Sequence, residues 1–75
     1  MVRQSITTEI MEFMVWVVEL VAHDLFEGDK CYAFNVLNEQ GIWDLYVENY
    51  EITHSLSAKS IIMEIKDILA FKEVI

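Results

Sequence analysis

Proline is absent from this sequence, glycine occurs twice and cysteine once. The lone Cys31 cannot form an internal disulfide, and no cysteine-rich zinc site can be assembled around it. A single thiol without a leading signal peptide is expected in a reducing, cytoplasmic setting. Basic residues are also scarce. Arg3, Lys30, Lys59, Lys66 and Lys72 stand apart from one another, against thirteen Asp and Glu, and the net charge is −8. Nucleic-acid binding relies on clustered cations that displace counterions from phosphates, so no nucleic-acid partner is expected. The same field opposes anionic lipid.

Long apolar runs are missing too. The greasiest stretch, "FMVWVVELVA" from Phe13 to Ala22, has only six uncharged residues between Glu12 and Glu19. A membrane span needs about 20 apolar residues, and none is expected here.

What is present is 55% hydrophobic content in 75 residues. This is a single domain, 1–75, and a domain so small buries only about 60% of its unfolded surface. Without disulfides or metal, oligomerisation is the remaining way to stabilise it. With only Gly28 and Gly41 as punctuation and a polar gap near Thr53 to Ser57, the periodicity predicts an all-α bundle of four helices and no sheet. The helices are expected near 6–26, 29–40, 43–53 and 57–73.

On the first helix, Ser5, Glu9, Glu12, Glu19, His23 and Glu27 share one polar stripe. Apolar residues, among them Ile10, Phe13, Met14, Val17, Val18, Val21 and Leu25, cover the rest, an arc of roughly 220°. One-sided packing needs about half that width, so this helix is expected to be central or buried on two sides. Trp16 projects into the polar stripe, either as a ring lying over a neighbouring helix or as a contact residue.

Asp29 is a plausible N-cap for the second helix, and Gly41 suits the left-handed position after it, with Ile42 able to touch Leu37. Tyr32, Ala33, Val36 and Leu37 are expected to face inward. In the third block Trp43, Tyr46, Val47 and Tyr50 form an aromatic core stripe opposite Asp44, Glu48 and Glu51. Ser57 begins the fourth helix, with Leu56 and Ile61 at hydrophobic-staple spacing. Ile61, Ile65, Ile68 and Leu69 make its core face, which leaves Met63, Phe71 and Val74 without an evident home.

Chemistry is thinly represented. Glu19 and His23 at i, i+4 could share an ion only if His54 or Asp24 joined them, and two ligands do not make a site. His54 suits a helix C-terminus, where an imidazole bonds a free carbonyl. Cys31 lies beside Lys30 but lacks a resolving thiol or base, and reads as a small core residue. Glycine-rich phosphate loops and nucleophile elbows are absent. No catalytic, cofactor-binding or metal residues are therefore assigned, and the chain is not expected to be an enzyme.

The stretch "WDLYVENYEITHSL" followed by "IIMEIKDILAF" resembles a small bacterial family, the domain of unknown function numbered 3791. Its members commonly show "IDYLLEFYDVLHTQ" and then "LLEDIDEFI". Asp44, Tyr50 and His54 fall on matching positions, while Ser55-Leu56 departs from the family's Thr-Gln. Upstream, "FMVWVVELVA" is similar to "FLVYCLEEYA", with Phe13, Val15, Glu19 and Ala22 matching. The similarity covers roughly residues 13 to 70. The family has no established activity, and its genes often neighbour a second uncharacterised family related to ADP-ribosyltransferase folds. The resemblance thus implies a binding partner of a co-encoded protein.

The expected function is a small helical protein–protein interaction module that forms a homodimer or binds a co-encoded protein, with Trp16, Phe13, Val17, Phe71 and Val74 as candidate contacts. The alternative is a helix-turn-helix regulator built on the second and third helices. A third helix with three carboxylates and no Lys or Arg argues against it.

Overall fold

A computed structural model describes residues 8–75, and its described residues form five helices and no strand. They are α1 (Thr8–Leu25), α2 (Lys30–Glu39), α3 (Ile42–Glu48), α4 (Tyr50–Thr53) and α5 (Ala58–Phe71). Arg3, Ser5 and the proposed helix start at residue 6 lie outside the described residues. No described helix is long and apolar enough to cross a membrane.

α1 is the centre of the bundle and packs against both α2 and α5. Its buried residues, Ile10, Phe13, Val17, Val18, Val21 and Ala22, recur at helical spacing and so form one continuous face. Opposite them α5 buries Ile61, Ile65 and Leu69, each side chain contributing about 1.5–3 kcal/mol by leaving water. Phe13 joins the third element. Its ring stacks on Tyr46 at 6.5 Å and meets Tyr50 edge-on at 5.4 Å.

The helix ends follow local chemistry. Asp29 caps α2 by accepting from the Tyr32 amide at 3.0 Å, and Ser57 caps α5 by accepting from the Ser60 amide at 3.1 Å. Leu56 packs on the same core as Ile61. Gly41 takes φ 74° after α2, a conformation that costs a residue without Cβ nothing. Ile42 and Leu37 are buried together there. α5 ends in a Schellman turn: the Val74 amide donates to the Leu69 carbonyl and the Glu73 amide to the Ala70 carbonyl. Glu73 occupies the left-handed position at φ 61°.

The expected third helix is two helices. Asn49 ends α3, with its amide side chain donating to the Leu45 carbonyl at 2.8 Å. The Tyr46 carbonyl accepts instead from the buried Thr53 hydroxyl at 2.9 Å. Side-chain groups that compete for backbone carbonyls redirect a helix in this way. Two expectations about α2 also change. Its covered face is Ala33, Val36 and Leu37 only. Tyr32, one residue before Ala33 and so about 100° round the helix, is exposed with its ring edge-on to Phe26 at 4.9 Å. Cys31 is exposed rather than a core residue.

Candidate functional site

The loop from Phe26 to Asp29 returns the chain so that α2 lies beside α1, and the two helices differ in length. α1 has 18 residues and α2 has 10, about 27 Å against about 15 Å at 1.5 Å per residue. A shorter neighbour cannot cover the whole flank of the longer one. The uncovered part carries Met11 and Val15, which are 56% and 57% exposed and spaced i, i+4 on one ridge. Met14 and Val18 lie deeper on the same side, and Phe34 of α2, 44% exposed, forms the opposite wall.

Together these residues enclose an open groove of about 340 Å³ with an almost wholly apolar lining. Its far end is closed by Glu19 and Lys30, whose ammonium donates to the carboxylate at 3.4 Å. A second, shallower depression lined by Thr8, Met11, Glu12 and Val15 shares Met11 and Val15 with the groove. Both walls are helical, so the groove is rigid in its backbone and adaptable in its methionines.

The proposed contact residues separate into distinct environments. Phe13 and Val17 are buried in the core and present no surface to a partner. The rings of Tyr46 and Tyr50 lie against Phe13. Trp16 is 38% exposed, and its ring lies 6.1 Å from Phe13 as a partial cover over the aromatic cluster. One residue on from Val15, it points about 100° away from the groove. Phe71 is 88% exposed, whereas Val74 is half-buried and packs against the core through the turn that ends α5.

Of the three matching residues in the stretch from Trp43 to Leu56, two meet. The His54 ring stacks on Tyr50 at 4.9 Å, and its Nδ1 lies 2.6 Å from the Tyr50 carbonyl. A carbonyl only accepts, so Nδ1 carries the proton and His54 caps the end of α4. Asp44 stands apart, exposed in the first turn of α3.

The proposed ion ligands are engaged elsewhere. Glu19 pairs with Lys30, and His23 Nδ1 lies 2.8 Å from Asp24. Among the described residues no three carboxylate, imidazole or thiol groups converge on a point that could hold a metal. Among the described residues the one strongly perturbed titratable group is Tyr46. Burial raises its pKa, and a hydrogen bond to Glu64 with the charge of that carboxylate adds to the effect. It is fully enclosed in the core, so its environment reads as structural.

Sequence reasoning missed Met11, Val15 and Phe34. The available signal was the unequal length of the first two helical blocks, which leaves one flank of the first without cover. The chain matches no protein-family model, no curated protein and no solved structure.

Proposed function

We propose that this chain is a small cytoplasmic protein–protein interaction module that seats another polypeptide in the groove between α1 and α2. The observation that carries the reading is the ridge of Met11 and Val15 facing Phe34 across an apolar groove. Apolar side chains exposed singly are ordinary, but a concave run of them on rigid elements is how partner surfaces are built. The resemblance to the domain of unknown function 3791 supports the same role, since what it implies is a binding partner of a co-encoded protein. Two occupants satisfy the geometry, a second copy and a different protein.

The helix-turn-helix alternative gains no support. α3 exposes Asp44 and Glu48 and carries no cation to meet phosphate.

The test is capture from the native host with wild-type chain and with Val15→Glu. Val15 is exposed, so the variant should keep its helical circular dichroism. The expected result is one or a few partners, including any co-encoded neighbour, recovered by the wild type and lost with the variant. Recovery of the same proteins by both chains would overturn the reading.

A further inference from the structure

We infer that the groove is built for a cationic amphipathic helix, an inference that rests on the interaction reading above and adds the chemistry of the partner. Shape selects the helix. The backbone amides of α1 and α2 are committed to helical bonds, so neither offers an edge to which an extended strand could add. Polyproline segments dock between several aromatic rings, and this groove has one, Phe34. What remains is a ridge with i, i+4 spacing above a floor of Met14 and Val18, the relief into which a third helix interdigitates. The two depressions that flank this ridge together span Thr8 to Glu19 along α1, about 16 Å or three helical turns of a partner.

Charge selects the sign. Glu12 and Glu19 stand two turns apart on the solvent side of the ridge, each lining one of the two depressions. Lys30 is the cation lining the groove, and its ammonium is already paired with Glu19. A second copy would bring a net charge of −8 against −8 and, in a two-fold pairing, set the same glutamates facing each other. An uncharged helix would desolvate Glu12 and the Glu19–Lys30 pair without adding a counter-charge. A helix with Lys or Arg flanking its apolar stripe meets both requirements, and long-range attraction would speed its association.

The experiment titrates isotope-labelled full-length chain with three synthetic helical peptides. The first has leucines at i, i+4, i+7 and i+11 flanked by lysines. The second replaces those lysines by glutamates, and the third keeps the lysines but replaces the leucines by serines. The first should shift the methyl resonances of Met11, Val15 and Met14 and bind at least about tenfold more tightly than the other two. Raising salt from about 50 to about 500 mM should weaken it. Val15→Ser should reduce its binding, and the double variant Glu12→Lys, Glu19→Lys should transfer the preference to the glutamate peptide.

Equal binding of the glutamate peptide would overturn the charge selection while leaving an apolar interface intact. Equal binding of the serine peptide would reduce the effect to ion pairing with an acidic surface, and the inference would fall. A dimer at low micromolar concentration with Met11 and Val15 buried between copies would make a second copy the occupant and overturn the inference, though not the interaction reading. If no peptide binds, no dimer forms and Val15→Glu captures what the wild type captures, both fall together.

Discussion

The hydroxyl of Tyr46 donates to the carboxylate of Glu64, tying α3 to α5 across the core. Tyr46 is completely buried, whereas Glu64 reaches it from an exposed position on α5. The phenol is neutral in the folded state, and burial, the hydrogen bond and the nearby negative charge all oppose its ionisation. It therefore keeps its proton to higher pH in the folded chain than in the unfolded one.

The first prediction concerns alkaline stability. A folded-state pKa raised above the ordinary value of 10.0 contributes stability that is fully present below pH 10 and lost as pH rises beyond it. Urea melts across that range should show a progressive fall in the wild type. Tyr46→Phe should flatten the fall, at a cost near neutrality of about 0.5–1.5 kcal/mol for the lost hydrogen bond. An unchanged alkaline limb in the variant would remove Tyr46 from the explanation.

The break between α3 and α4 gives a second prediction. Thr53 is buried, and its hydroxyl is the donor that meets the Tyr46 carbonyl. Thr53→Val keeps the shape of the side chain and removes that donor, leaving a carbonyl without its partner. The expected loss is about 1–3 kcal/mol in chemical denaturation, with helical content unchanged. A neutral result would mean that the carbonyl finds another donor.

His54 is expected to be structural. His54→Gln removes the stacked ring and weakens the bond to the Tyr50 carbonyl. The cost should not exceed about 1–2 kcal/mol, the size of a cap or dipole contact. Partner capture should persist. A folded variant that captures nothing would assign His54 a place in recognition.

Glu73 offers a change in the opposite direction. It holds the left-handed position of the turn after α5 at φ 61°, where a side chain costs about 1–2 kcal/mol. Glu73→Gly relieves that strain but adds freedom to the unfolded chain. A net gain of up to about 1 kcal/mol is expected, read as a higher thermal midpoint. A lower midpoint would show that the contact of Val74 with the core depends on the Glu73 side chain.

Much of this fold was legible because its signals are local. Asp29, Gly41 and Ser57 mark helix ends through groups only a few residues away, and each sits where its chemistry placed it. The break at Asn49 was not legible, since the apolar rhythm of Trp43, Tyr46 and Tyr50 passes straight through it. Competition for the Leu45 and Tyr46 carbonyls has no periodic signature. Tyr32 and Cys31 were misplaced because the covered face of α2 is narrower than its apolar content. By sequence Trp16 reads either as a ring over a neighbouring helix or as a contact, and its part-exposed ring lies beside Phe13 of its own helix. The groove is a relation between two helices of different length. No single stretch of sequence states it, and Met11 and Val15 became conspicuous only once α2 was seen to be too short to cover them.

Two of the residues lining that groove, Met11 and Met14, carry thioethers, so its apolar character depends on the oxidation state of sulfur. Met11, the more exposed, would be the first to accept an oxygen atom from a peroxide. A sulfoxide there would place a strong dipole on the ridge and make a hydrophobic seat polar. The change leaves the core untouched and is reversible by methionine sulfoxide reductases. For the partner proposed above, oxidation of Met11 would weaken the seat without unfolding the protein.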